Sequence, residues 1–407
     1  MWFNQFYQGW RGRFRSSRHT KAPASPRRCM HPRLEQLEDR TLMSNYSAAT
    51  VSDLIADINA ANAAGGTNTI TLTAPTTSPY VLTTVNNTTN GATALPVISG
   101  GGKKVAADSL TIIGNGDTIE RGTASGTPDF RLFDVASGAS LTLENLTLQN
   151  GLAFGSGSSA EGGAIYNQGN LILSAVTVQN NVAQGSPGSS GCPLHECKLK
   201  PIPGGPAAGG GIWSGSSLTL ENGTLVHNNQ AIGGTGAMDG MFFTGSAGGD
   251  AFGGGLYISG GTANLTGVTV NNNSALGGFG AFYGKAFGGG IYVAAGSVTL
   301  SNDSAAGNAA SASESNSLIV PLAAGGGIYI ASEATATLCN DTVQSNSASN
   351  PGSGVVGQAV GGGIYIESGA TVYMDMFTVA NSINNTDNSG LNGPTANIDG
   401  TAILQNC

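Results

Sequence analysis

Gly162-Gly163-Ala164-Ile165-Tyr166 decides the fold, because the same five-residue pattern returns five more times. It recurs as Gly209-Gly210-Gly211-Ile212-Trp213, Gly253-Gly254-Gly255-Leu256-Tyr257, Gly288-Gly289-Gly290-Ile291-Tyr292, Gly325-Gly326-Gly327-Ile328-Tyr329 and Gly361-Gly362-Gly363-Ile364-Tyr365. The aliphatic member advances by 47, 44, 35, 37 and 36 residues. A recurrence of this kind is the mark of a solenoid, in which each repeat buries its apolar face only against its neighbours.

A second mark follows each of the first five aliphatic positions by sixteen to eighteen residues: Asn181, Asn229, Asn273, Asn308 and Asn346. In the sixth repeat Asn381 is the nearest candidate. Between the two marks apolar and polar residues alternate, as in Leu171-Ile172-Leu173-Ser174-Ala175-Val176-Thr177-Val178. Period two in short β-branched runs predicts strands with one buried face. Three short strands in about 20 residues, closed by Asn and Gly turns, make one coil, and coils about 4.8 Å apart bury a narrow aliphatic core. Asn suits the turns because it tolerates the left-handed conformation and stacks amide on amide. The fold class read here is all-β, a right-handed parallel β-helix. About nine coils would give a rod roughly 40 Å long.

The glycine-rich GGxI element with its downstream [FV]xxN partner is similar to the repeat of chlamydial polymorphic outer-membrane proteins and related bacterial surface β-helices. The similarity covers residues 162–381, and the aromatic member of the second element is mostly Val here. The resemblance implies a pectate-lyase-like solenoid at a cell surface. It predicts architecture well and chemistry poorly.

Upstream, residues 51–62 place apolar side chains at helical spacing before Gly65-Gly66. They read as a short amphipathic helix over the amino-terminal end of the solenoid, where bare strand edges would invite aggregation. The expected organisation is a leader at 1–44, a capping-helix region at 45–68, a β-helix at 69–395 and a closing segment at 396–407.

Composition agrees. The chain has 407 residues with 64 glycines, and only 10% of them are charged. That composition argues against an ordinary helical enzyme, and at 40% apolar content a disordered chain is excluded. Residues 1–44 carry a net charge of +6 and the remainder −14. An acidic body poor in Lys and Arg offers no footprint for nucleic-acid phosphates. No apolar window reaches the roughly 18 residues of a membrane span, and no signal-peptide core follows the basic start. The run Arg33-Leu34-Glu35-Gln36-Leu37-Glu38-Asp39-Arg40-Thr41-Leu42-Met43-Ser44 instead resembles the short LExLEDRxLLS-type segment of planctomycete extracellular proteins. That resemblance implies export to the cell surface or beyond.

The five cysteines fit such a compartment. Cys192 and Cys197 flank Pro193-Leu194-His195-Glu196 in a Pro-rich loop. A local disulfide is the expected reading in an exported protein, with free thiols or a metal site as alternatives, the last lacking a fourth ligand. Cys29 lies in the leader, Cys407 is the last residue, and Cys339 reads as a small packing residue in a strand.

Three constellations are candidate contact sites. The aromatic column through Trp213, Tyr257 and Tyr292 should point outward, where stacked rings either bind sugars or brace the ladder. Asp303, Asp341 and Asp375 align two residues before Ala305, Val343 and Phe377. Stacked carboxylates repel unless protonated, solvated or bridged, so calcium is the one cofactor to consider. The long insertions all emerge from one edge, carrying Phe242, Phe243 and Phe252 in residues 233–252 and Phe279, Phe282, Tyr283 and Phe287 in 277–287. No catalytic constellation is readable, and basic residues suited to sugar acids are scarce. The expected role is structural, adhesive or glycan-contacting, with a glycan, a cell-envelope component or another copy as partner. A carbohydrate-active enzyme on the same fold is the alternative.

Overall fold

Stacked coils of short parallel strands account for nearly all of the secondary structure. The computed structural model describes residues 44–99, 109–155, 157, 159–190, 200–237, 245–282, 284–313, 322–350, 358–387 and 396–407. Their strands form four sheets of seventeen, nine, seven and six members, every strand pairing being parallel. One coil shows the plan. Strands Ile165–Asn167 and Asn170–Ser174 form one arm, Thr177–Gln179 and Val182–Gln184 follow at two corners, and after the loop Ala207–Ala208 leads into the next Gly-Gly corner. The coil therefore holds more strands than the three expected, because the returning end of each loop forms a sheet of its own.

Alternation does the sorting. Leu171 and Leu173 are fully buried, and their register partners Leu141, Leu143, Leu218 and Leu220 line up above and below them. A second, narrower column is wholly alanine, from Ala160 through Ala183 and Ala231 to Ala310. Only a methyl group fits between the two sheets there.

The sheet begins before the capping helix. Ser44–Ala48 pairs with Thr67–Leu72, so the first level starts at residue 44 and not at 69. Eleven levels stack along this arm, from Ser44–Ala48 to Ile403–Leu404, a length of about 48 Å at the β-sheet spacing. Helix α1, Val51–Ala64, buries Leu54, Ile58 and Ala61 over the core at this end. It starts with a capping box in which Thr50 and Asp53 satisfy each other's backbone N–H.

The stacked asparagines are the strongest polar device. Asn229 Nδ2 donates to Asn273 Oδ1 at 3.0 Å, Asn273 to Asn308 at 3.0 Å, and Asn308 to Asn346 at 2.9 Å. The same oxygens accept the backbone N–H of the preceding Asn, and each Nδ2 also donates to a carbonyl one coil back. The residue with positive φ is the one before it, Asn180, Asn228, Asn272 or Gly307. Turn and ladder are thus divided between neighbours.

The last repeat corrects the expectation at Asn381. A short helix, α2 at Met376–Ala380, is inserted there, and Asn381 merely closes it. Asn385 takes the ladder position, accepting from Asn346, and Asn397 follows. Ser382 instead of Phe377 falls in register with Val343.

Replacing Asn273 by Ala strands the N–H and Nδ2 of Asn229 and the carbonyl of Val226 in the interior. At about 1–3 kcal/mol for each orphaned group, the loss is expected to exceed about 3 kcal/mol, read as a fall in the thermal midpoint.

Candidate functional site

The loop edge is built from backbone. Three insertions leave the solenoid through residues 185–188, 233–236 and 277–280 and return through 204–206, 247–250 and 284–285. Outgoing segments bond to one another, Gly188 N to Thr235 O at 2.7 Å and Gly236 N to Phe279 O at 2.6 Å. Returning segments do the same, Gly204 N to Ala247 O at 2.8 Å and Gly248 N to Phe282 O at 2.7 Å. Cross-bonds join the two layers, as Gly234 N donates to Gly205 O, Gly249 N to Gly234 O and Gly278 N to Gly249 O, each at 2.8 Å.

Layers this close leave no room for side chains. A β-carbon on Gly233 would run into the carbonyl of Gly249, and one on Gly204 into that of Gly234. The glycines therefore build a stiff plate, where composition alone suggests slack loops. Ile202, Phe279 and Phe282 are exposed on it, at 61%, 43% and 38%. Phe242, Phe243 and Tyr283 lie outside the described residues, as do Cys192 and Cys197 and the leader up to residue 43. Phe252 and Phe287 are not loop aromatics: they sit in the strands Ala251–Phe252 and Ala286–Phe287.

Those two rings pack edge-on against the aromatic column, Phe252 at 5.2 Å from Tyr292 and Phe287 at 5.1 Å from Tyr329. Within the column the rings stack face to face, Tyr166 on Trp213 at 4.5 Å, Tyr257 on Tyr292 at 5.2 Å and Tyr292 on Tyr329 at 4.9 Å. The side chains do alternate with the inward aliphatic residues. Yet Tyr166 is only 8% exposed and Tyr329 6%. Burial pushes the Tyr292 and Tyr329 phenols well up. Ring faces turned to one another brace the ladder and offer little platform to a sugar.

At the first end of the column Arg131 lies over the Tyr166 ring at 5.1 Å. Its Nη1 donates to Asn90 O at 2.6 Å, and Asn90 Nδ2 reaches both oxygens of Asp134. Burial raises Asp134 and Glu161 above the ordinary carboxylate range, against the pull of Arg131. The group was not legible in the sequence, since its members belong to irregular coils before the first Gly-Gly mark. Asp134 stands in register with Tyr166, the one signal that links them. With Arg131 at 5% and Asp134 at 0% exposure, the group fastens the segment around residue 90 to the first regular coil.

The aligned acids are turned to backbone donors. Asp303 accepts from Val268 N at 2.7 Å and Ser301 N at 3.0 Å, and Asp341 from Asp303 N at 2.8 Å and Cys339 N at 2.9 Å. Asp375 caps α2 through Thr378 N. These bonds direct the carboxylates at the backbone, and among the described residues no group of three His, Cys, Asp or Glu side chains is placed to hold a metal ion. Burial drives Asp303 to about 6 and Asp341 to about 7, outweighing the amide bonds that favour the charged form.

Cys339 corrects the packing reading. It forms a disulfide with Cys407, Cα to Cα 5.9 Å across 68 residues. No local spacing could reveal that pair.

Replacing Gly233 by Ala is expected to force the two loop layers apart, raising amide hydrogen exchange about tenfold or more across residues 233–237 and 245–250 while the coil strands keep their protection. The acid ladder gives a second expectation. Folded-state values raised above 3.8 mean that folding takes up protons, so this stabilisation is complete below about pH 4 and lost as pH rises through 6 and 7. Stability read from melting curves should fall by an amount on the order of 4 kcal/mol between pH 5 and 8, and Asp341→Asn should flatten that slope.

Comparison of the chain with protein-family models, with curated proteins and with solved structures finds no match.

Proposed function

We propose that this is an exported protein of the cell surface or extracellular space, in which the β-helix is a rigid stalk and the glycine-bonded plate is the adhesive face. The plate carries the reading. A solenoid needs nothing of the kind for its own stability, yet three loops of different length are locked together so that Ile202, Phe279 and Phe282 stand exposed on one edge. Rigid aromatic groups on a fixed support bind at low cost in conformational entropy. A glycan or a cell-envelope component is the partner this chemistry fits.

The Cys339–Cys407 disulfide supports export, because such bonds persist in oxidising compartments. So does the similarity of residues 33–44 to planctomycete extracellular proteins, with a surface or outer-membrane-associated setting implied by the repeats. Among the described residues no helix is long and apolar enough to cross a membrane. The enzymatic alternative is weaker, since Asp303, Asp341 and Asp375 are tied to backbone donors and Asp134 is sealed behind the column.

Changing Phe242, Phe243, Phe279, Phe282 and Tyr283 together to Ser is expected to cut adhesion to envelope polysaccharide or to cells by at least about tenfold, with an unchanged thermal midpoint. Intact adhesion in a folded variant removes the proposal. A collapse in stability shows instead that these rings pack on the plate.

A further inference from the structure

Asp117 is a carboxylate shut in the structure with nothing to hold. It is 1% exposed, both of its oxygens are buried, and neither has a hydrogen-bond partner. Its place in the fold is that of Asp303 and Asp341, each of the three directly preceding a strand of the nine-stranded sheet. Asp303 and Asp341 accept the N–H of the residue one coil back, Val268 N and Asp303 N, and a second N–H from two residues earlier in the chain. At Asp117 such donors have gone elsewhere. The pairing of Tyr80 with Ile119 sets Ser78 one coil back, and Ser78 N donates to Pro75 O at 2.7 Å. The turn before Asp117 is also one residue longer, with positive φ at both Asn115 and Gly116 where the later corners have it at Asn302 or Asn340 alone. Its Gly114 N and Gly116 N donate to Glu144 O and Asn145 O. Loop 73–79 lies against this turn, since Asn115 Nδ2 donates to Leu72 O at 2.9 Å and the methyl group of Thr76 is the nearest atom to the open side of Gly116. The loop has no cationic side chain. Its two prolines have no N–H, and Thr73 N and Ala74 N donate to the Tyr80 hydroxyl. What it offers is oxygen, in its carbonyls and in the hydroxyls of the exposed Thr76, Thr77 and Ser78. Burial raises the Asp117 carboxyl above the ordinary range.

We infer that Asp117 anchors a calcium site, completed by oxygens of loop 73–79. An ionised carboxylate taken out of water needs a compensating charge, and neither an amide nor a cationic side chain supplies one here. A donor set of oxygen alone selects a hard cation. The exposed loop gives the ion a way in from solvent. With a single carboxylate the site falls in the weak range for calcium, a Kd of about 10⁻⁴–10⁻³ M. The ion pins the loop to the turn and so fastens the second level of the solenoid to the third, as the backbone bonds to Asp303 and Asp341 do in the late coils.

Calcium titration of the metal-stripped full chain, followed by calorimetry and by amide hydrogen exchange, tests this without reference to adhesion. The expected result is one site of that affinity, with exchange slowed at least about fivefold in residues 73–79 and 114–117 and unchanged in the late coils. Asp117→Asn, which keeps the shape and removes the charge, should abolish binding, while Asp303→Asn leaves it unchanged. A wild-type chain that binds no calcium at about 10 mM, well above the expected range, overturns the inference. So does binding that survives in Asp117→Asn, or protection that falls outside the loop and the turn. If Asp117→Asn does not fold, the position of the protected amides in the wild-type chain decides alone.

Discussion

Every coil depends on finding its hydrogen-bond partners in the coils directly above and below it. In a parallel solenoid a strand has no hairpin to fall back on, so each N–H and C=O must meet a neighbour at the same register one level away. The asparagine ladder extends that rule to the corners, where a strand's own pairing lapses. One amide there serves a side-chain donor, a backbone donor and a distant carbonyl at once. Register, turn and core position are then set together. A slip at one corner would displace the aliphatic column and orphan the ladder in the same stroke.

That constraint explains which residues announced the fold. Ile165, Ile212, Leu256 and their successors recur because each is the register partner of the last, and the Asn marks recur for the same reason. Legibility failed where a partner lies outside the repeat. Asn385 was missed because α2 lengthens the final corner, and Cys339 because its sulfur pairs with a residue 68 positions on. Arg131, Asp134 and Glu161 carry no motif, since they join only through the stacking of irregular coils. Glycine in a loop by itself suggests freedom, whereas contact between two backbone layers makes it the stiffest choice available here.

The outer surface divides its aromatic residues between two duties. Those beside the Gly-Gly corners stack on one another and on Phe252 and Phe287 in a seam that is buried at Tyr166 and Tyr329 and half-buried elsewhere. Of the loop aromatics among the described residues, Phe279 and Phe282 stand exposed on the plate. The buried acids follow a similar economy of position: Asp303 and Asp341 replace the apolar Val268 of the preceding coil and hold the amides of the corner below. Their burial gives the late coils a protonation-dependent element.

The Cys339–Cys407 bond has a mechanical corollary. A pull applied at residue 407 would not be taken up by the two-residue strands of the last turns, which ordinary hydrogen bonds would release one after another. It would pass through sulfur into the twelve-residue strand Ile328–Cys339, held between neighbours on both sides. The final turns hang in a slack ring that bears no load. The solenoid would then yield as a block under tension and would not unravel from residue 407.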